Sequence, residues 1–375
     1  MTATACLFTL LAAQLSVNSA ARQRVYVGTY TAGKGQGIYL LEFDAEQGTL
    51  SPPRFVAKTT NASFLVADPQ RRVLYSTVEV GSVTPFKSGS VESYRVDLPT
   101  GDLTKQSEQP SGGAIPCHIS LDVAKRHLFV ANYSSGNVAV LPLDSAGTLQ
   151  PHSALVQHEG SSQNPDRQQG PRAHSIKIDP TGKYVMAADL GCDKLFIYRY
   201  DADSGTLEAL DNSPTFPPGS GPRHFAFHPN GKILYVLNEL LNTMAVFTYD
   251  ASTGAVQPVQ TIETVPKDFR GANTTAEVVV HPSEKFVYAS NRGHDSIAAF
   301  AVDAASGKLT ALGHTSTGGK TPRNFSLDRS GKWLLVGNEN SNTLVVLSVG
   351  EDGKLKPTDT KVEIPNPACV YFFPE

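Results

Sequence analysis

The chain has 375 residues, 40% of them hydrophobic and 18% charged, and a formal net charge of -3. Its Lys and Arg residues are scattered rather than gathered into a stripe, which removes the electrostatic footprint of a nucleic-acid binder. Four cysteines without metal-type spacing indicate neither a disulfide framework nor a zinc site.

Taken in chain order, residues 1–21 come first, with an apolar run of about a dozen residues followed by the small residues Ser19, Ala20 and Ala21. This reads as an export signal, although no Lys or Arg precedes the run, and it places the mature chain in the periplasm or outside the cell; the alternative, an N-terminal segment that is not a signal, leaves the chain in the cytoplasm. The run is too short to span a membrane, and no other segment approaches the needed length. Cys6 would leave with the signal, and Cys117, Cys192 and Cys369 are then expected as buried packing residues. Residues 22–375 form one domain, for the following reason.

A Gly-x-Leu segment, once as Gly-x-Val, starts at Gly48, Gly101, Gly147, Gly205, Gly254, Gly307 and Gly353, with spacings of 53, 46, 58, 49, 53 and 46 residues. That is the period of one four-stranded propeller blade. Each period carries short runs rich in Val, Phe, Tyr and Leu bounded by Gly, Asn, Asp or Pro, as in the stretch from Arg223 to Val256, which reads as a strand meander. An Asp or His ends the first strand of six units: Asp68, Asp122, Asp179, His228, His281 and Asp328. The ends of the chain account for the seventh. RVYVGTY (24–30) has the pattern of a second strand, and NPACVYFF (366–373) that of a first strand. The C-terminal strand therefore completes the N-terminal blade, and the expected fold is an all-β, seven-bladed propeller closed into a ring without open edges.

In such a ring the start of each first strand and the end of each second strand lie at the same mouth. The starts supply His118, His174, Arg223, His224, Glu277, Arg323 and Asn324, and the ends supply Asn132, Asp189, Asn238, Glu239, Asn291, Arg292 and Asn338. The recurrent Asn or Asp reads as a turn-forming side chain bonding local backbone. The exceptions carry more information. Glu239 and Arg292 follow that residue where other units have Tyr133 or Leu190, and His174 and Arg223 stand where the first unit has Ser63 and Phe64. One such residue alone could simply join neighbouring blades. As a set, Glu239 or His174 can activate water or move a proton while Arg223 and Arg292 hold an anion or a developing oxyanion. His118, His224, Glu277, Arg323 and Asn324 are assigned to substrate binding. The chain has no Gly-x-Ser-x-Gly nucleophile motif and no His-rich metal signature, and no cofactor is expected. An insertion at 156–172 falls ahead of the strand bearing His174 and reads either as a rim loop offering His158, Arg167 and Gln168 or as a plain surface loop.

The segments VYVGTYT, PRAHSIKIDPTGKYVMAADLGCDKLFIYRYD, GPRHFAFHPNGKILYVLNE, VYASNRGHDSIAAF and TPRNFSLDRSGKWLLVGNE resemble the seven-bladed propeller lactonase family. That family includes a 6-phosphogluconolactonase branch and a fungal carboxy-cis,cis-muconate cyclase. The resemblance implies a site of His174, Arg223, Glu239 and Arg292, matching the cyclase's His, Arg, Glu and second Arg. It implies a small anionic or sugar-lactone substrate and a metal-independent lactonase. A muconate-type cycloisomerase is the alternative, its arginines pairing carboxylates. A non-catalytic binding propeller is a third reading. A calcium-dependent variant would use Glu239, Asn291 and Asn338 as oxygen ligands, but Arg292 beside them opposes a cation. The export signal fits a non-phosphorylated sugar lactone better than an intracellular phosphosugar.

Overall fold

The computed structural model describes residues 22–374, so the expected export signal at 1–21 lies outside the described residues. The described chain folds as seven antiparallel sheets arranged as the blades of a propeller. Six blades are meanders formed from consecutive strands, beginning with the inner strands Leu65–Asp68, Pro116–Leu121, Ala173–Ile178, Pro222–Phe227, Thr274–Val280 and Pro322–Leu327. The remaining blade joins the chain ends. Pro367–Phe372 forms its inner strand and pairs antiparallel with Arg22–Thr29, with Tyr26 opposite Tyr371 and Val27 opposite Val370. The ring closes as the sequence requires.

The seven repeated glycines share one backbone conformation, with φ between +68° at Gly48 and +79° at Gly147. A side chain there would be strained and crowded; a Cβ at Gly147 would lie 2.8 Å from the Tyr75 hydroxyl. These turns also latch neighbouring blades. Tyr26, Tyr75, Tyr235 and Tyr288 donate hydrogen bonds to the carbonyls of Gly101, Gly147, Gly307 and Gly353, each in the next blade.

An apolar cluster fills each of the seven junctions between blades. Middle strands such as His127–Asn132, Tyr184–Asp189 and Ile233–Asn238 are buried along their whole length, because both faces of each blade pack on neighbours. Cys117, Cys192 and Cys369 are buried free thiols. No helix among the described residues is long and apolar enough to cross a membrane.

The two ends of the inner strands are built differently. At one end the recurrent Asp or His accepts backbone N–H groups of the following turn. Asp179 receives those of Lys183 and Tyr184, Asp328 that of Trp333, and His228 that of Asn230. At the other end the pairing register shifts in six blades, leaving Cys117, His174, Arg223, Ala276 with Glu277, Arg323 and Ala368 at irregular positions. Such bulges re-aim side chains. Here they occur at the mouth where the sequence concentrates ionisable residues.

Candidate active site

Glu239 is the centre of the mouth. It follows the strand Ile233–Asn238, its backbone N–H bonds the Gly221 carbonyl, and its side chain is 3% exposed. Its Oε1 accepts a 2.8 Å hydrogen bond from Arg167 Nη2. Its Oε2 lies 2.9 Å from Arg223 Nε, 3.0 Å from Arg292 Nη2 and 3.8 Å from His174 Nε2. The approaches to Oε2 are ionic rather than aligned hydrogen bonds, since Oε2, Arg223 Nε and Arg292 Nε all lack an aligned partner. Three guanidiniums thus face one carboxylate. Burial disfavours its charge, but the guanidiniums of Arg292, Arg223 and Arg167 hold Glu239 well below the usual carboxylate range, so it is ionised at neutral pH.

The arginines are themselves fixed. Arg223 donates to the Ala276 carbonyl and Arg292 to that of Thr275, both in the adjacent inner strand. Burial and the neighbouring charges of Arg292 and Arg323 push Arg223 down to about 10, which leaves it a cation at neutral pH. His174 is pushed the other way from an ordinary acid–base imidazole. Burial, reinforced by Arg223, holds it well below its usual value, so the ring is neutral. Its Nδ1 lies 3.6 Å from the Cys117 thiol, and its ring packs edge-on against Tyr133 at 5.3 Å. The pair of a neutral imidazole and an ionised carboxylate leaves His174 Nε2 able to take a proton and Glu239 Oε2 able to orient water or offset the imidazolium that forms.

Arg167 arrives from the 156–172 insertion, which is therefore a rim segment of the site. It donates to Tyr133 Oη from Nε and Nη2 at 3.2 and 2.9 Å, and then to Glu239. His158 and Gln168 do not join it. His158 is buried between Asp189 and the Tyr198 hydroxyl, and Gln168 bonds Leu190 and Asp193, so both anchor the loop.

The other candidate residues divide by depth. His224, Glu277 and Asn324 are buried behind the mouth in a chain of contacts. His224 Nδ1 is 3.0 Å from Glu277 Oε1, Asn324 Nδ2 donates to Glu277 Oε2 at 2.6 Å, and Asn324 Oδ1 accepts the Val370 N–H. This chain stitches four successive blades. His118 packs on Phe64 and His224, at 4.2 and 5.3 Å between ring centroids, and burial keeps both imidazoles neutral. Arg323 instead stands at the mouth, its guanidinium 5.0 Å from the centre of the Tyr30 ring. The recurrent Asn132, Asn291 and Asn338 bond the backbone carbonyls of Ser111, Thr264 and Thr317, as expected of turn-forming residues.

Tyr30, Glu79 and Glu339 belong to this mouth but do not stand out in the sequence. Each occupies the position directly after a middle strand, the position of Glu239 and Tyr133. That equivalence was their available signal. Among the described residues no group of His, Cys, Asp and Glu is arranged to hold a metal ion.

Known proteins resemble this chain over nearly its whole length. The family model for the 7-bladed beta-propeller lactonases matches residues 24–372. The 6-phosphogluconolactonase of Bacillus subtilis is 37% identical over 348 residues, covering 92% of this chain and 97% of the relative. That of Formosa agariphila is 31% identical, covering 93% and 99%. The solved structure of the periplasmic gluconolactonase of Pseudomonas aeruginosa superposes with a TM-score of 0.89 at 35% identity, covering 94% of this chain and 99% of that one. The chain belongs to the seven-bladed β-propeller lactonase family.

Proposed function

We propose that this lactone-hydrolysing enzyme opens a sugar-acid lactone at the Glu239 mouth, without a metal ion. The observation that carries the reading is one ionised carboxylate, Glu239, held by Arg167, Arg223 and Arg292 beside the neutral imidazole of His174. The family supplies the reaction class, and the named relatives, 6-phosphogluconolactonases and a gluconolactonase, support a sugar-acid substrate.

Chemistry follows from the charges. A water within reach of His174 Nε2 and Glu239 Oε2 gives a proton to the imidazole as its oxygen bonds to the lactone carbonyl carbon. The carbonyl π pair moves onto oxygen, and the resulting oxyanion is stabilised by the positive charge of the Arg223 and Arg292 guanidiniums. Collapse of the tetrahedral intermediate breaks the ring C–O bond, and the leaving alkoxide takes the proton back from His174. Glu239 offsets the transient imidazolium charge from 3.8 Å. The product is a hydroxy acid whose carboxylate faces the same guanidiniums.

The test is a panel of aldonolactones followed by acid release against the spontaneous rate. Acceleration by the purified protein, unchanged by a chelator, supports the reading; a rate equal to the blank sinks it. Export is part of the same proposal, supported by the apolar leader in the sequence and by the periplasmic location in the description of the Pseudomonas protein. Mass spectrometry of the protein recovered from its native host should show residues 1–21 removed, and an intact Met1 would contradict export.

A further inference from the structure

The mouth is electrically two-sided, and its second side has no role in the steps above. Counting the blade of Arg22–Thr29 as the first, the residues directly after the middle strands are, in blade order, Tyr30, Glu79, Tyr133, Leu190, Glu239 and, in the seventh, Glu339, while in the sixth Arg292 is the last residue of its strand. On the Glu239 side, blades four to six present three arginines against one carboxylate. Across the axis, blades seven, one and two present Arg323, Glu339, Tyr30 and Glu79, a single guanidinium with two carboxylates and a phenol.

This second arc has the chemistry of a polyol site. The Arg323 guanidinium donates no hydrogen bond to any described residue, and its planar group lies over the Tyr30 ring. Its N–H fork is therefore available to a ligand. The Tyr30 hydroxyl donates to both oxygens of Glu79, at 3.1 and 3.0 Å, which fixes that carboxylate beside the guanidinium. Glu79 and Glu339 both lie close enough to act on Arg323 electrostatically. Arg323 also occupies the same irregular start position in its inner strand as Arg223 and His174, so all three point toward one mouth. Donors and acceptors side by side on an aromatic surface match the hydroxyls of a sugar chain, each of which both donates and accepts.

The same arc opposes a phosphate. A dianion placed there gains one guanidinium but meets Glu339 and Glu79, the latter with a charge that burial disfavours and Arg323 and the Tyr30 hydroxyl support, and repulsive groups of this kind set specificity as effectively as attractive ones. A lactone seated with its carbonyl toward Arg223, Arg292 and His174 extends its hydroxylated tail across the axis toward Arg323.

We propose that Arg323, Tyr30, Glu79 and Glu339 form a binding subsite for the uncharged polyol tail of the substrate, selecting unphosphorylated sugar-acid lactones over 6-phosphorylated ones. The proposal rests on the lactonase reading for its orientation of the substrate.

The experiment measures both binding and turnover. Calorimetry with the product acids gluconate and 6-phosphogluconate should show tighter binding of gluconate to the wild type, by at least about tenfold, the size of one modest like-charge penalty. In the Glu79→Gln/Glu339→Gln double variant that preference should shrink at least about fivefold through gain of the phosphorylated acid. Arg323→Met should weaken gluconate and raise KM for the unphosphorylated lactone more than it lowers kcat. Equal or tighter binding of 6-phosphogluconate by the wild type overturns the subsite without any variant being needed, and so does an unchanged preference in the folded double variant. A gluconate preference that follows these expectations in a protein that opens neither lactone above the blank would support the subsite and overturn the hydrolytic reading alone.

Discussion

The two ends of the inner strands face the same problem, how to leave a β-strand, and solve it in opposite ways. At the turn end every blade with an anchor uses one recipe: an Asp or His accepts the backbone N–H groups of the turn, as Asp179 and Asp328 do. At the mouth end the register shifts and the residues at the shifted positions differ from blade to blade. Repetition marks residues that serve each blade separately. Variation marks residues that serve the ring as a whole, because a single site on the axis needs a different group from each blade.

This contrast predicts that changes at the two ends separate activity from stability. The largest effect belongs to His174→Ala, which removes the proton acceptor next to Glu239; kcat should fall by about 10²–10⁴ with the melting temperature little changed. A steady-state assay of lactone opening checks it, and retention of more than half the wild-type rate would remove His174 from the chemistry. Next is Arg167→Ala, which takes away one of three guanidiniums from the half-exposed side of the cluster. An about tenfold loss in kcat/KM is expected, since the 2.8 Å bond to Glu239 is lost while Arg223 and Arg292 remain.

Asp328→Ala tests the opposite end. It strips partners from the N–H groups of Ser330 and Trp333 and from the Gln23 amide, so unfolding should become easier by about 1–3 kcal/mol while kcat/KM stays within twofold. A large activity loss without destabilisation would erase the distinction between the ends.

Acid stability sharpens the comparison further. His118, His174 and His224 are each held neutral, chiefly by burial, with folded values well below the ordinary value near 6.5. Below that pH the unfolded chain binds protons that the folded chain refuses. Stability should therefore be complete above about pH 6.5 and fall as pH drops toward the lowered values, by up to about 1.4 kcal/mol per pH unit for each imidazole. Denaturant midpoints between pH 7 and 5 measure this. Replacing His118 by Phe should flatten the slope, because it sits in an apolar stack with Phe64.

The contrast also explains how much could be read in advance. The seven Gly-x-Leu turns and the split blade were legible because a left-handed turn and a closed ring leave few residue choices. The quartet His174, Arg223, Glu239 and Arg292 was legible as departures from the repeat. Depth was not. His224 and Arg323 both stand near strand starts, but the bulge turns Arg323 to the mouth and leaves His224 one layer below, bonded to Glu277. Arg167 was legible only as a loop candidate, since its reach depends on the anchoring of His158 and Gln168. Glu79 and Glu339 escaped notice because a glutamate after a strand looks like an ordinary turn residue until its position is matched to that of Glu239.

The most direct measurement is kcat/KM for an unphosphorylated aldonolactone with wild type and Glu239→Gln, compared at equal fractions folded. The substitution keeps the shape of the side chain and removes the one charge on which Arg167, Arg223, Arg292 and His174 converge. The account predicts a fall of about 10²–10³. A folded Glu239→Gln enzyme that opens the lactone at the wild-type rate would contradict it.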